Sequence, residues 1–287
     1  MKKGNVMLVL FVAFAASVVS AQVPNRELLD MVKSEDIAKL DKYIKDKPQE
    51  INKEISSYGF PIFYAIDLRK YNVACAMLTA GASATVKDDA GENFFHRIAK
   101  KAGEIKKDEI EKLVKLVSIL KEKSCDPNLY SKNGYTPLSL LVLNSPNLNR
   151  IENTKRLAEE FINVGADPKL ETKNEKKEPL VIEVISGLRK QTPLKDGSIP
   201  IQGHGSFEMI KFLAEKGYNV NVQDGAKNNP LIVLLKKELP EDKKMDMIKY
   251  LLSKKVDPKQ KNKKKESSLD LVDKKSDLYQ LFKKGVK

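Results

Sequence analysis

Two histidines, His96 and His204, and two cysteines, Cys75 and Cys125, are all that the 287 residues offer of those types. They are the side chains best suited to nucleophilic, acid–base or metal chemistry, so their spacing is the first thing to weigh. A zinc site draws on His and Cys ligands close together in the chain or converging in space, and these four are scattered. A Ser-His-Asp or Cys-His arrangement would depend on the same two imidazoles, and no G-x-S-x-G elbow occurs. His204 lies in "IQGHGSF", where the glycines suggest a phosphate loop, but no Lys-Ser/Thr follows Gly205 and the pattern fails. A turn between two helices is expected there. Carboxylates are plentiful but interleave with Lys at helical spacing, as in "DEIEKLVK" (108–115), the mark of a solvated helix face. Neither catalysis, nor a cofactor, nor a metal is expected.

The elements that must carry these residues come from a repeated pattern. "NGYTPLSLL" (133–141) reads as a turn, a capping Thr136, Pro137 at a first helical position and then an apolar face. Comparable starts are "YGFPIFYAI" with Pro61, "AGENFFHRIA" with Phe94 at the proline position, "KKEPLVIEVI" with Pro179, "KNNPLIVLL" with Pro230 and "KESSLDLV" with Ser268. Each is followed by a second amphipathic stretch, for example Leu113, Leu116, Val117 and Leu120, or Met247, Ile248, Leu251 and Leu252. These second stretches close at Gly81, Ser124, Gly165, Gly217 and Lys255; the three glycines stand where a helix end calls for a left-handed residue. Asp-Pro at 126–127, 167–168 and 257–258 then leads out of the helix. Cys75 falls inside one such outer helix beside Met77 and Leu78, as a small apolar residue. Cys125 falls in the loop after the next. At different heights they are not expected to meet the ~7 Å Cα separation of a disulfide, and two free thiols are expected.

This unit resembles the ankyrin repeat, whose pattern is G-x-T-P-L-H-x-A at the inner helix and L-L-x-x-G-A-D-x-N at the close of the outer one. "GYTPLSLL" matches all but the His and the Ala, where Ser139 and Leu141 stand. "GENFFHRIA" keeps the His, with Ala99 one place beyond the pattern's Ala, and "GSFEMIKFLAEKGYNVN" (205–221) is close to the outer helix and exit. "ELLDMVKSEDIAKLDKYIKDKPQEIN" (27–52) resembles a first unit. The resemblance implies an all-α helix-turn-helix solenoid of about seven units, at approximately 24–55, 56–87, 88–131, 132–172, 173–223, 224–262 and a cap at 263–287. It also gives His96 a structural task, tying its turn to a neighbour. The departures are insertions. From the proline position to the closing residue, 61 to 81 has the family length, whereas 94 to 124, 137 to 165, 179 to 217 and 230 to 255 are longer. The extra residues are 100–109, 144–153, 189–205 and 236–244, all at one point of the repeat, which puts them on one edge of the stack.

Composition bounds the rest. A 41% hydrophobic and 32% charged chain can bury a core. Aromatic content of 7% with no Trp disfavours a stacking surface for single-stranded nucleic acid, and no nucleic-acid partner is expected. Lys2 and Lys3, the apolar run 6–19 and the small residues Val19-Ser20-Ala21 read as a cleaved export signal over 1–21. The run is shorter than the ~20 residues of a spanning helix, and no second one follows. The expected mature chain starts at Gln22, does not span the membrane, is monomeric and works in the periplasm or outside a bacterial cell.

The net charge of +13 is concentrated late in the chain. Twelve Lys stand against five acidic residues from Lys254 to Lys287, with "KQKNKKKE" (259–266) the densest part. An electrostatic binder of anionic surface is therefore the alternative to the main expectation, a non-catalytic scaffold that binds a protein partner through its concave face and insert loops. Tyr58, Phe60, Tyr130 and Tyr135 are the candidate partner contacts, as aromatic residues near loop tips.

Overall fold

The structure is a computed structural model that describes residues 26–55 and 58–284. The expected export signal, 1–21, lies outside the described residues. Helices alternate short and long along the chain. They run α1 (Arg26–Ser34) and α2 (Ile37–Asp46), α3 (Pro61–Asp67) and α4 (Tyr71–Thr79), α5 (Phe94–Lys100) and α6 (Ile110–Glu122), α7 (Pro137–Leu143) and α8 (Ile151–Asn163). Then follow α9 (Leu180–Gly187) and α10 (His204–Glu215), α11 (Pro230–Leu235) and α12 (Glu241–Ser253), and α13 (Asp277–Lys284) preceded by a 3-10 turn at Ser268–Leu271. Inner helices α3, α5 and α7 stack in file, as do outer helices α4, α6, α8 and α10. The result is the expected ankyrin-type solenoid of seven units.

Local chemistry sets the starts. Pro61, Pro137 and Pro230 occupy the first helical position, where a missing N–H costs nothing. Before two of them a side chain accepts a free helix N–H: Thr136 Oγ1 from Ser139 N at 3.2 Å, and Asn229 Oδ1 from Ile232 N at 2.9 Å. Pro179 is a correction to the sequence reading. It precedes the helix as its extended cap residue, and α9 begins at Leu180. What keeps the register is the turn upstream rather than the proline. Asp88, Ser131, Asn174, Asp224 and Asn262 each stand six residues before the first residue of an inner element, at 94, 137, 180, 230 and 268.

The outer helices end as expected. Gly81, Ser124, Gly165, Gly217 and Lys255 all have positive φ, between 59° and 108°. The residue after each sends its N–H back to the last turn, as in Ala82 N to Met77 O at 2.9 Å, Cys125 N to Leu120 O at 2.9 Å and Val256 N to Leu251 O at 3.1 Å. Ala82, Cys125, Ala166, Tyr218 and Val256 are buried beneath these ends. Cys125 therefore fills an apolar slot that Ala fills in two other units. Both cysteines are buried and free.

One continuous core runs the length of the stack. Rings join neighbouring units edge to face: Phe63 with Phe94 at 4.8 Å, Phe95 with Phe161 at 5.1 Å and Phe207 with Tyr250 at 5.9 Å. At roughly 1.5–3 kcal/mol for each large side chain buried, these shared contacts stabilise units that could not stand singly. The 189–205 insertion is not irregular throughout. It holds a small antiparallel pair, β1 (Arg189–Lys190) with β2 (Ile201–Gln202), which together with an isolated bridge between Ile55 and Gly59 is the extended structure among the described residues that the all-α expectation did not include. His204 also departs from expectation: it opens α10 instead of lying in the turn before it.

Candidate interaction surfaces

Two rows of loops project from the stack. The first joins each outer helix to the next inner helix. Each of its turns is closed by its own first residue. Asp88 Oδ1 accepts Ala90 N and Glu92 N at 2.9 Å, Asp224 Oδ1 accepts Ala226 N and Asn228 N at 2.8 Å, and Asn262 Oδ1 accepts Lys264 N at 2.9 Å and Glu266 N at 3.0 Å. Successive turns are tied together: Lys132 N donates to Ala90 O at 2.8 Å, Lys173 N to Gly134 O at 2.7 Å and Lys263 N to Ala226 O at 2.9 Å. Between the turns at 174–178 and 224–228 no such backbone bond is made among the described residues. The charge of the turns differs along this row: Asp88 and Asp89 stand in its second turn and Lys263, Lys264 and Lys265 in its last.

His96 does what the resemblance implies. Fully buried, its Nδ1 accepts the Asn93 N–H at 3.3 Å and its Nε2 lies 3.1 Å from Tyr135 O in the next turn. Burial pushes its pKa below the ordinary value, the direction that favours the neutral ring, and Nδ1 also lies 2.8 Å from Asn93 Oδ1.

The four aromatic candidates all fall on this row. Tyr58 is 39% exposed and packs edge-on against Tyr64 at 5.2 Å; Phe60 meets Phe63 at 5.8 Å. Tyr130 and Tyr135 flank one turn and are half-buried. The Tyr130 hydroxyl donates to Glu171 O at 2.9 Å, with Lys173 Nζ 3.9 Å from its ring centroid, and the Tyr135 hydroxyl donates to Glu183 Oε1 at 2.8 Å. These two tyrosines thus bond to the following unit. Sequence reading passed over Arg97, which pairs with Asp67 at 2.5 Å and Asp88 at 2.9 Å and lies 4.7 Å from the Phe63 ring. It crosses a cleft of about 750 Å³ between the first two turns, lined also by Glu54, Tyr58 and Asp89.

The second row consists of the insertions, and they dock on one another along the opposite edge. Arg69 Nη2 donates to Glu104 O at 2.6 Å and its Nε to Glu109 Oε1 at 2.8 Å. Asn153 Nδ2 reaches Ile105 O at 3.2 Å, Gly205 N reaches Pro146 O at 3.2 Å, and Lys237 Nζ reaches Ser186 O at 2.8 Å. Between the 144–150 loop and the β1–β2 hairpin lies an open cleft of about 420 Å³. Among the described residues, no group of three His, Cys, Asp or Glu side chains is placed to hold a metal ion, and no helix is long and apolar enough to cross a membrane.

No protein-family model matches the chain and no curated protein resembles it in sequence. Solved structures do resemble it. The ankyrin repeat domain of Bcl-3, described as a unique member of the IkappaB protein family, superposes with a TM-score of 0.62 at 15% identity, over 86% of this chain and 93% of that one. An ankyrin repeat domain from Acinetobacter baumannii AYE superposes with a TM-score of 0.56 at 16% identity, over 80% of this chain and 97% of that one. The chain has the fold of an ankyrin repeat domain.

Proposed function

We propose that this protein is a non-catalytic scaffold that binds another protein through its turn row and insert edge. The observation that carries the reading is the pair of stitched loop rows on a stack with a continuous core. Side chains held outward on loops that cannot move independently lose little freedom when a partner docks, which is where affinity is otherwise lost. We further propose that the chain is exported, with residues 1–21 removed, and acts as a monomer in the periplasm or outside the cell. The test is capture of the mature chain's partner from envelope extracts, followed by titration with that partner once purified. Stoichiometric binding that weakens at least about 10-fold on substituting turn-row or insert residues is expected. N-terminal sequencing of the exported form should begin at Gln22, and retention of Met1 in a cytoplasmic fraction would end the export reading.

A second reading has its own observation. Lys255, Lys259, Lys261, Lys263, Lys264, Lys265, Lys274 and Lys275 are all exposed at one end of the stack. Such a patch favours an anionic surface, and its binding must collapse with salt. Retention on heparin or anionic vesicles that persists at 0.5 M salt, on the order of a 4–5 Å screening length, would count against it.

A further inference from the structure

The two most exposed large apolar side chains among the described residues are Leu194, at 55%, and Leu148, at 44%. Both belong to insertions that the basic repeat does not need, and both line the 420 Å³ cleft, with Ile199 and Pro200 beside them. An isolated exposed leucine calls for no explanation; two facing one cleft form a patch. The loops that bear them are fixed from below. Leu188 and Ile201 bury the feet of the hairpin, Gln191 N donates to Pro200 O at 3.0 Å, and Leu194 N donates to Ser198 O at 2.8 Å. Across the cleft the Gly205 N–H to Pro146 O bond pins the 144–150 loop, and a Cβ on Gly205 would lie 2.2 Å from Ser145 O. The leucines are therefore held outward rather than left over from a loose loop.

Cations outnumber carboxylates at the cleft, although burial lowers the pKa of the His204 imidazole and Asp246 also acts on it. Its ionisable lining is His204 and Lys243, with no carboxylate. The flanking segments add Arg150, Arg189, Lys190 and Lys195 against Asp196, whose carboxylate is turned onto Ser198 N at 2.9 Å and Oγ at 2.6 Å. Glu208, 3.8 Å from His204, is held by Lys211 at 2.7 Å, and Asp242 lies 3.8 Å from Lys243. Resting on the scaffold reading above, we infer that this cleft is a docking groove for a partner's peptide segment carrying leucine-type side chains next to acidic ones. The apolar side chains cover Leu148 and Leu194, and the carboxylate meets Lys243 and the cationic rim.

A random peptide library displayed on phage, panned on the full mature chain and counter-selected on the double variant Leu148→Ser/Leu194→Ser, tests this. Both leucines are exposed, so an unchanged urea midpoint is expected for the variant. Selected sequences should be rich in Leu or Ile with Asp or Glu. A synthetic peptide from that set should bind the double variant at least about 10-fold more weakly and Lys243→Gln a few-fold more weakly. Enrichment of Lys and Arg, equal binding to the double variant, or saturation of the groove by dodecanoate with no peptide selected would overturn the groove. Peptides retained by the double variant but lost on substitution of Tyr58 and Arg97 would overturn it while leaving the scaffold reading intact. Failure at both surfaces would count against both.

Discussion

A single imidazole shows how much this fold asks of one side chain. His96 joins its own turn to the next through Asn93 N and Tyr135 O, with no exposure to solvent. Replacing it with Ala leaves buried polar groups without partners, and a loss of about 1–3 kcal/mol is expected from urea unfolding. Its folded pKa is lowered, chiefly by desolvation. Below the unfolded value near 6.5 the unfolded chain therefore takes up a proton that the folded chain refuses. Stability should be fully present above about pH 6.5 and decline as pH falls toward the lowered folded value; His96→Ala should flatten that decline. The thiols give a complementary prediction. Burial raises the Cys75 pKa and pushes Cys125 up to about 12, so neither is a thiolate at pH 8. A chromogenic disulfide reagent should label the native protein slowly and both residues at once on unfolding. Fast labelling of Cys125 in the native state would contradict its place beneath the helix end.

The turns are the elements that set register, and glycine tests them. Gly91 and Gly134 both have left-handed φ, +71° and +80°. A Cβ at Gly91 would touch Lys132 at an ordinary 3.5 Å, whereas one at Gly134 would fall 2.2 Å from the Lys173 carbonyl. Gly91→Ala should cost about 1–2 kcal/mol for the conformation alone. Gly134→Ala should cost about 1–3 kcal/mol more, because the stitched bond to the next turn must break. Equal urea midpoints for the two variants would contradict the stitching. Much at this scale was readable in the sequence. The closing positions at 81, 165 and 217 followed from the helix-end chemistry of glycine, and those at 124 and 255 from their place in the repeat. The start at Leu180 was not, because proline drew attention away from Asn174, whose side chain closes the turn by accepting Glu178 N at 3.0 Å. The β1–β2 pair escaped because two-residue strands have no periodicity to detect. The exposure of Leu148 and Leu194 depends on how two distant insertions meet, which no local pattern encodes.

Among the described turns from 88 to 266, neighbours are joined by backbone bonds except at one seam. The turns at 174–178 and 224–228 lack the backbone bond that ties other neighbours. Across that seam the Phe207–Tyr250 contact, the Asn221 Nδ2 bond to Lys255 O at 3.3 Å and the Lys237 bond to Ser186 O do the joining. Phe207→Ala, at about 3–5 kcal/mol, should split urea unfolding into two steps, with residues 224–284 losing amide protection first. A single sharp transition for that variant would mean the seam is as strong as its neighbours. The charge of the turns has a separate consequence. A row with two aspartates in its second turn and three lysines in its last carries an electric dipole superimposed on a net charge of +13. An ion-bearing molecule drifting toward it feels a torque as well as a pull. Since ionic screening confines that field to roughly 8 Å at physiological salt, the turning happens in the last instants before contact. Arrivals that are already aligned should then account for a larger share of productive encounters as the buffer is diluted.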